Sequence, residues 1–200
     1  MANIDAKMVS KLRKETGAPM MDCKRALQNV DGDWEKAKEE LRLAGLKAAD
    51  SRSGRQTAEG RIFSYIHAGD KIGVMVELHC ETDFVAKNEM MSEFGHDLCL
   101  HLAFAKPQYL DASAVPAEEV EKETAFLRKQ IQEQAADKPA EIQEKMVEGR
   151  LKVFFEERCF LNQKFVKDNA KTIEDYRKEL VGKIGENIKI ARFTVFVLGE

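Results

Sequence analysis

Apolar residues recur at helical spacing in three short runs at the head of the chain: Met8, Val9 and Leu12, then Met20, Cys23 and Leu27, then Trp34, Ala37, Leu41 and Ala44. Turn and cap chemistry separates the runs. Asp5 is placed to cap the first helix, Pro19 suits the first turn of the second, and Asp31-Gly32-Asp33 makes a turn ending in a cap for the third. The pattern predicts a three-helix bundle over residues 1–49. From Ala48 to Gly60 large apolar side chains thin out around Arg52, Ser53, Gly54 and Arg55, which predicts a linker at residues 50–59 and a movable bundle.

The period then changes to that of a strand. Ile62, Ser64 and Ile66 alternate with Phe63, Tyr65 and His67, and Ala68-Gly69-Asp70 reverses the chain. Ile72, Val74, Val76 and Leu78 next alternate with Gly73, Met75, Glu77 and His79, so this stretch reads as an antiparallel hairpin. Met91, Phe94, Leu98 and Leu102 return to helical spacing, in a helix from about Asn88 to Phe104 that packs on one face of the sheet. After a connection from Pro107 to Pro116, Val120, Thr124, Leu127 and Ile131 form one stripe of a charged helix ending near Gln134. Ala136-Asp137-Lys138-Pro139 reverses the chain, and Ile142, Met146, Val147, Leu151, Phe154 and Phe155 complete a helical hairpin over 117–158. Thr172-Ile173-Glu174-Asp175 resembles a capping box that opens a last helix to about Ile184. Ile188, Ile190, Phe193, Val195 and Val197 form a final strand, with a bulge near Ala191 and Arg192 to restore its faces. The fold class is α+β, the bundle followed by a core of an antiparallel sheet packed with helices over residues 60–200.

Composition narrows the class. With 44% apolar and 34% charged residues, 200 residues suit one or two soluble domains. Lys plus Arg number 32 against 35 Asp plus Glu, a balance that leaves no electrostatic footprint for direct binding to nucleic acid. Met1-Ala2-Asn3-Ile4-Asp5 is not a basic region leading into an apolar run, and no stretch of ~18 apolar residues occurs, so the expectation is a cytoplasmic protein without a membrane role. Cys23, Cys80, Cys99 and Cys159 are scattered without paired spacing, as buried reduced thiols are.

Enzyme chemistry has no foothold. There is no Gly-rich loop ending in Gly-Lys-Ser or Gly-Lys-Thr, no Gly-x-Ser-x-Gly elbow and no His-Glu-x-x-His helix. His79 and Cys80 on the strand sit near His96, Cys99 and His101 on the helix, yet His101 points away from the face shared by His96 and Cys99, so no metal and no cofactor is expected. Two surface features remain. The Gly17-Ala18-Pro19-Met20-Met21 loop sets two adaptable methionines at the bundle edge, with Met20 either core or contact and Met21 an exposed contact. Asp83 and Phe84 fall between strand and helix, where they can face a partner; spacing alone also allows Phe84 to tuck beneath the sheet and Asp83 to cap the helix.

The chain resembles the translation elongation factor Ts family over essentially its whole length. The resemblance rests on Val9-Ser10-Lys11-Leu12-Arg13-Lys14-Glu15-Thr16-Gly17-Ala18-Pro19-Met20-Met21-Asp22-Cys23-Lys24-Arg25-Ala26-Leu27, Thr82-Asp83-Phe84-Val85-Ala86-Lys87-Asn88, Glu148-Gly149-Arg150-Leu151 and Lys183-Ile184-Gly185-Glu186-Asn187-Ile188. It implies a guanine-nucleotide exchange factor of elongation factor Tu, with a ubiquitin-associated-like bundle docking the GTPase through Leu12, Met20 and Met21. Asp83 and Phe84 would disturb the partner's magnesium site, within a wider motif that includes Thr82, Val85 and Ala86. Gln163-Lys164-Phe165-Val166 departs at Lys164 from the Gln-Pro-Phe-Val common in the family, and the core occurs once where longer members duplicate it. The resemblance to the short, single-core members implies a homodimer, pairing sheets through the C-terminal region; residues 191–200 contain no cysteine, so no disulfide there holds it. The rival reading is a dimeric adaptor that binds a protein partner through its bundle without promoting exchange.

Overall fold

Helices α1 (Ala6–Thr16), α2 (Met20–Asn29) and α3 (Trp34–Arg52) form where the apolar spacing put them in the computed structural model, which describes residues 4–200. Met1, Ala2 and Asn3, read above for a leader and for the start of the bundle, lie outside the described residues. The Asp5 carboxylate accepts from the Met8 N–H at 2.7 Å and that of Asp33 from the Lys36 N–H at 3.1 Å, so each satisfies a donor that the helix start leaves unpaired. Pro19 stands just before α2 with ψ 142°, not inside its first turn. Val9, Leu12, Cys23, Ala26, Leu27 and Ala37 close the bundle core, with Trp34 and Leu41 packed against it.

α3 runs on to Arg52, past the expected boundary, because Ala48 and Ala49 are strong helix formers and Ala49 is buried. The segment beyond it is tied down: the Ser53 and Arg55 carbonyls accept from Asn187 Nδ2 at 3.2 and 3.0 Å. Low apolar content read as a loose linker because backbone hydrogen bonds to a distant asparagine leave no trace in local composition.

Strands β1 (Glu59–Ile66) and β2 (Ile72–Cys80) form the expected hairpin, and β5 (Lys189–Val197) adds to β2, giving the sheet order β1-β2-β5. Val74, Val76 and Leu78 are buried as their alternation required. In β5 the inward face passes from Ile190 to Phe193 and Val195, the change of face anticipated near Ala191 and Arg192. Between β2 and helix α5 (Glu89–Ala105) lies a single helical turn, α4 (Asp83–Ala86).

The chain divides into two compact units. The first comprises the described residues up to Phe63 with Val76–Asp97 and Asp175–Ala191. Within it Phe94 meets Tyr176 edge to face at 4.9 Å, and the Tyr176 hydroxyl donates to Asp97 Oδ2 at 3.0 Å. Helix α8 (Ile173–Ile184) approaches α3 so closely that a Cβ on Gly182 would lie 2.7 Å from Gly45 Cα, a crossing only glycine permits.

The second unit comprises Ser64–Met75, Leu98–Glu174 and Arg192–Glu200. Helices α6 (Ala117–Gln134) and α7 (Ala140–Arg158) form the expected hairpin around Leu127, Ile131, Ala135 and Val147. Arg128 pairs with Glu144 at 2.6 Å across it. Two short antiparallel strands, β3 (Lys164–Phe165) and β4 (Asp168–Thr172), escaped the sequence reading because β3 is too short to show a period and β4 has no large apolar residue to mark one. All four cysteines are free and buried, and burial pushes their thiols up, Cys99 to about 11.

His101 is fully buried, with Nδ1 accepting from the Val166 N–H at 3.2 Å and Nε2 lying 3.0 Å from Gln163 Oε1. These partners select the neutral imidazole with its proton on Nε2. Desolvation holds its pKa below the usual value, partly opposed by the Gln163 carbonyl. Between that value and about 6.5, the unfolded chain binds more protons than the folded one, so His101's contribution to stability is complete above about pH 6.5 and lost as pH falls through the folded pKa. The expected outcome is that the His101 ring, followed by NMR, titrates below about 6.5 and that the unfolding free energy declines over the same range; titration at or above that value would contradict the assignment.

Candidate functional site

The junction after β2 is assembled from residues far apart in the chain. Thr82 is extended, with φ −129° and ψ 157°, and its hydroxyl accepts from the Val85 N–H at 3.4 Å to cap α4. Thr82 therefore supplies the cap for which Asp83 was one candidate. Glu186 holds Thr82 in turn: Oε2 accepts from the Thr82 N–H at 3.0 Å and Oε1 from its hydroxyl at 2.7 Å. The neighbouring Asn187 N–H donates to Glu81 Oε1 at 2.6 Å.

This turn has an inner and an outer side. Val85 and Ala86 are buried and anchor it, while Phe84 is 82% exposed. The alternative of an aromatic tucked beneath the sheet is thereby removed. Asp83 lies beside it with its carboxylate 2.8 Å from Lys87 Nζ, one helical turn on. That hydrogen bond lowers the carboxyl pKa, so Asp83 is ionised at neutral pH. The pair is open to water and screened, leaving Asp83 able to exchange partners.

At the edge of the bundle Met20 and Met21 are 42% and 69% exposed, at the start of α2. Leu12 is different. It has no exposed surface and sits in the bundle core, so the direct contact expected of it is corrected: Leu12 supports the helices, and the methionines form the surface. Spacing places Leu12 in the apolar run of the first helix, and only the resemblance assigns it to the contact.

A second apolar surface lies in the other unit, where Ile66, Met75, Phe196 and Leu198 are all exposed. The first three occupy outward positions of β1, β2 and β5, and the Leu198 N–H bonds the Lys71 carbonyl at 2.8 Å to continue the ladder. Among the described residues no three His, Cys, Asp or Glu side chains are grouped to hold a metal ion, and no helix is long and apolar enough to cross a membrane. Sequence reasoning missed the part played by Glu186 and Asn187. The signal was present in Lys183-Ile184-Gly185-Glu186-Asn187-Ile188, a motif recognised without a role.

Fold and site together define an α+β protein of two compact units that carries an exposed acidic-aromatic tip on a supported turn. A model of the family described as Elongation factor TS matches residues 23–200. Elongation factor Ts of Carboxydothermus hydrogenoformans is 51% identical over 98% of this chain and 90% of its own length. That of Citrifermentans bemidjiense is 50% identical over 99% and 91%. For Thermosipho melanesiensis the figures are 48%, 98% and 100%, so that relative has no additional core. The chain belongs to the elongation factor Ts family, elongation factors of protein biosynthesis.

Proposed function

We propose that the protein is a cytoplasmic guanine-nucleotide exchange factor that binds elongation factor Tu in its GDP-bound and nucleotide-free states and promotes GDP release. The observation that carries this reading is Phe84, a large apolar ring held almost wholly in water on a capped and buttressed turn. Exchange of this kind needs no bond-making group. It needs stronger binding to the nucleotide-free GTPase than to the loaded one, and that difference is the whole driving force.

Phe84 enters an apolar pocket of the GTPase near its magnesium site, and the ionised Asp83 competes within the network that holds the ion. Magnesium bridges the nucleotide phosphates, so loosening it weakens GDP binding. Burying one Phe side chain yields roughly 1.5–3 kcal/mol. A typical coupling between two ligands is about 1–3 kcal/mol, or ~5–150-fold in affinity. One ring thus supplies much of a typical coupling but not the binding that delivers it. Met20 and Met21 dock the bundle on the GTPase, and Thr82, Val85 and Ala86 hold the tip in place.

A second copy of the chain covers the apolar sheet face. Ile66, Met75, Phe196 and Leu198 are exposed large apolar side chains on neighbouring strand positions, and an isologous pair buries the same patch on both copies. In sedimentation experiments the intact chain should run as a dimer and Phe196→Asp as a monomer; a dimer unaffected by that charge would exclude this face.

Mixing the protein with elongation factor Tu loaded with labelled GDP tests the exchange reading. Accelerated release is expected, and Phe84→Ala should lower it by about tenfold or more while a complex still forms, given the burial forfeited. Binding without acceleration by the intact chain would favour the adaptor, and an unchanged rate in Phe84→Ala would remove the ring from the mechanism.

A further inference from the structure

We propose that Glu186 is a positioning residue for nucleotide exchange, which orients the Asp83-Phe84 tip through Thr82 and, with Asn187, ties it to the end of α3. The inference rests on the exchange reading above and extends it to a segment that contains neither Phe84 nor the methionines. A single helical turn is not stable by itself, because forming it fixes several residues for very few hydrogen bonds. The exposed Phe84 ring gains little hold from packing on its own protein. Its direction is therefore set by the backbone of residues 82–86, which is held by the buried side chains of Val85 and Ala86, by Arg61 Nη1 and the Cys80 thiol donating to the Ala86 and Thr82 carbonyls at 3.3 and 3.2 Å, and by the carboxylate of Glu186, which grips Thr82 at two points.

Glu186 is well suited to this work. Its two oxygens take the N–H and the hydroxyl of the same threonine, a two-point grip that fixes direction as well as distance, and an ionised acceptor makes both bonds stronger than neutral ones. Gly185, at φ 87°, turns the chain sharply at the end of α8 and so brings Glu186 and Asn187 into the junction. Asn187 is fully buried and spans two further segments: its backbone N–H reaches Glu81, and its side-chain amide reaches the Ser53 and Arg55 carbonyls. Two consecutive residues thereby join the end of a bundle helix, the tip and the end of α8 within one compact unit. A bundle seated on the GTPase then presents the tip in one orientation instead of many.

Exchange kinetics and amide hydrogen exchange on the full chain test this together. Glu186→Ala should lower the maximal rate of GDP release from elongation factor Tu by about tenfold or more, the loss expected for a charged acceptor, with the half-saturating concentration unchanged. In the free protein the Val85, Ala86 and Lys87 amides, which bond back to Thr82 and Asp83, should exchange faster by a similar factor. Glu186→Gln keeps only one suitable acceptor and should fall between. Thr82→Val should lose both the bond its hydroxyl donates to Glu186 and the cap it accepts from the Val85 N–H, so combining it with Glu186→Ala should add the share of the cap alone. Unchanged amide exchange in Glu186→Ala and Glu186→Gln would overturn the proposal, as would a defect confined to half-saturation. Should the intact chain fail to accelerate release at all, the exchange reading fails, and the amide measurement still decides whether Glu186 holds the tip.

Discussion

A one-turn helix that must carry a phenylalanine in water depends on something outside itself, and here that support is the pair of hydrogen bonds from Thr82 to Glu186. Everything proposed for the tip needs this grip. Phe84 is useful only while exposed, and exposure deprives it of the packing that orders most aromatic side chains. The cost of keeping an apolar ring in water is offset around it: Val85 and Ala86 are buried, Thr82 caps the turn, and Glu186 fixes the cap. Asp83 adds a charge whose ion pair with Lys87 is screened and easily exchanged.

The same division between support and contact runs through the bundle. Leu12 fills the core and leaves Met20 and Met21 at the surface, so the side chains that make the bundle fold are distinct from those offered to a partner. In the second unit, inward positions of the strands build the core and outward Ile66, Met75 and Phe196 form the exposed apolar face. Strand alternation produces both at once, because a side chain turned away from one core is available to a neighbouring molecule.

Periodicity made most of the architecture legible. Helices of ten or more residues and strands of eight or nine carry enough repeats to announce their type, which is why α1, α2, α6, α7, β1, β2 and β5 lie close to their expected bounds. The two-residue β3 and the four-residue α4 contain too few positions to show a period. Phe84 was legible as a residue of interest, but its exposure was not, since an aromatic at a turn can face either way. Leu12 failed for the converse reason: its apolar character suits core and contact equally, and only packing separates them. The grip of Glu186 on Thr82 joins positions 104 residues apart, a separation no local pattern can report.

The action proposed for the tip is on the magnesium-held nucleotide of elongation factor Tu. Release of labelled GDP, followed for the intact chain and for Phe84→Ala with magnesium present and again after its chelation, tests it most directly. The gap between the two proteins should narrow sharply once the ion is removed, because no metal-held network is left for the tip to disturb. An equal gap with and without magnesium would contradict it.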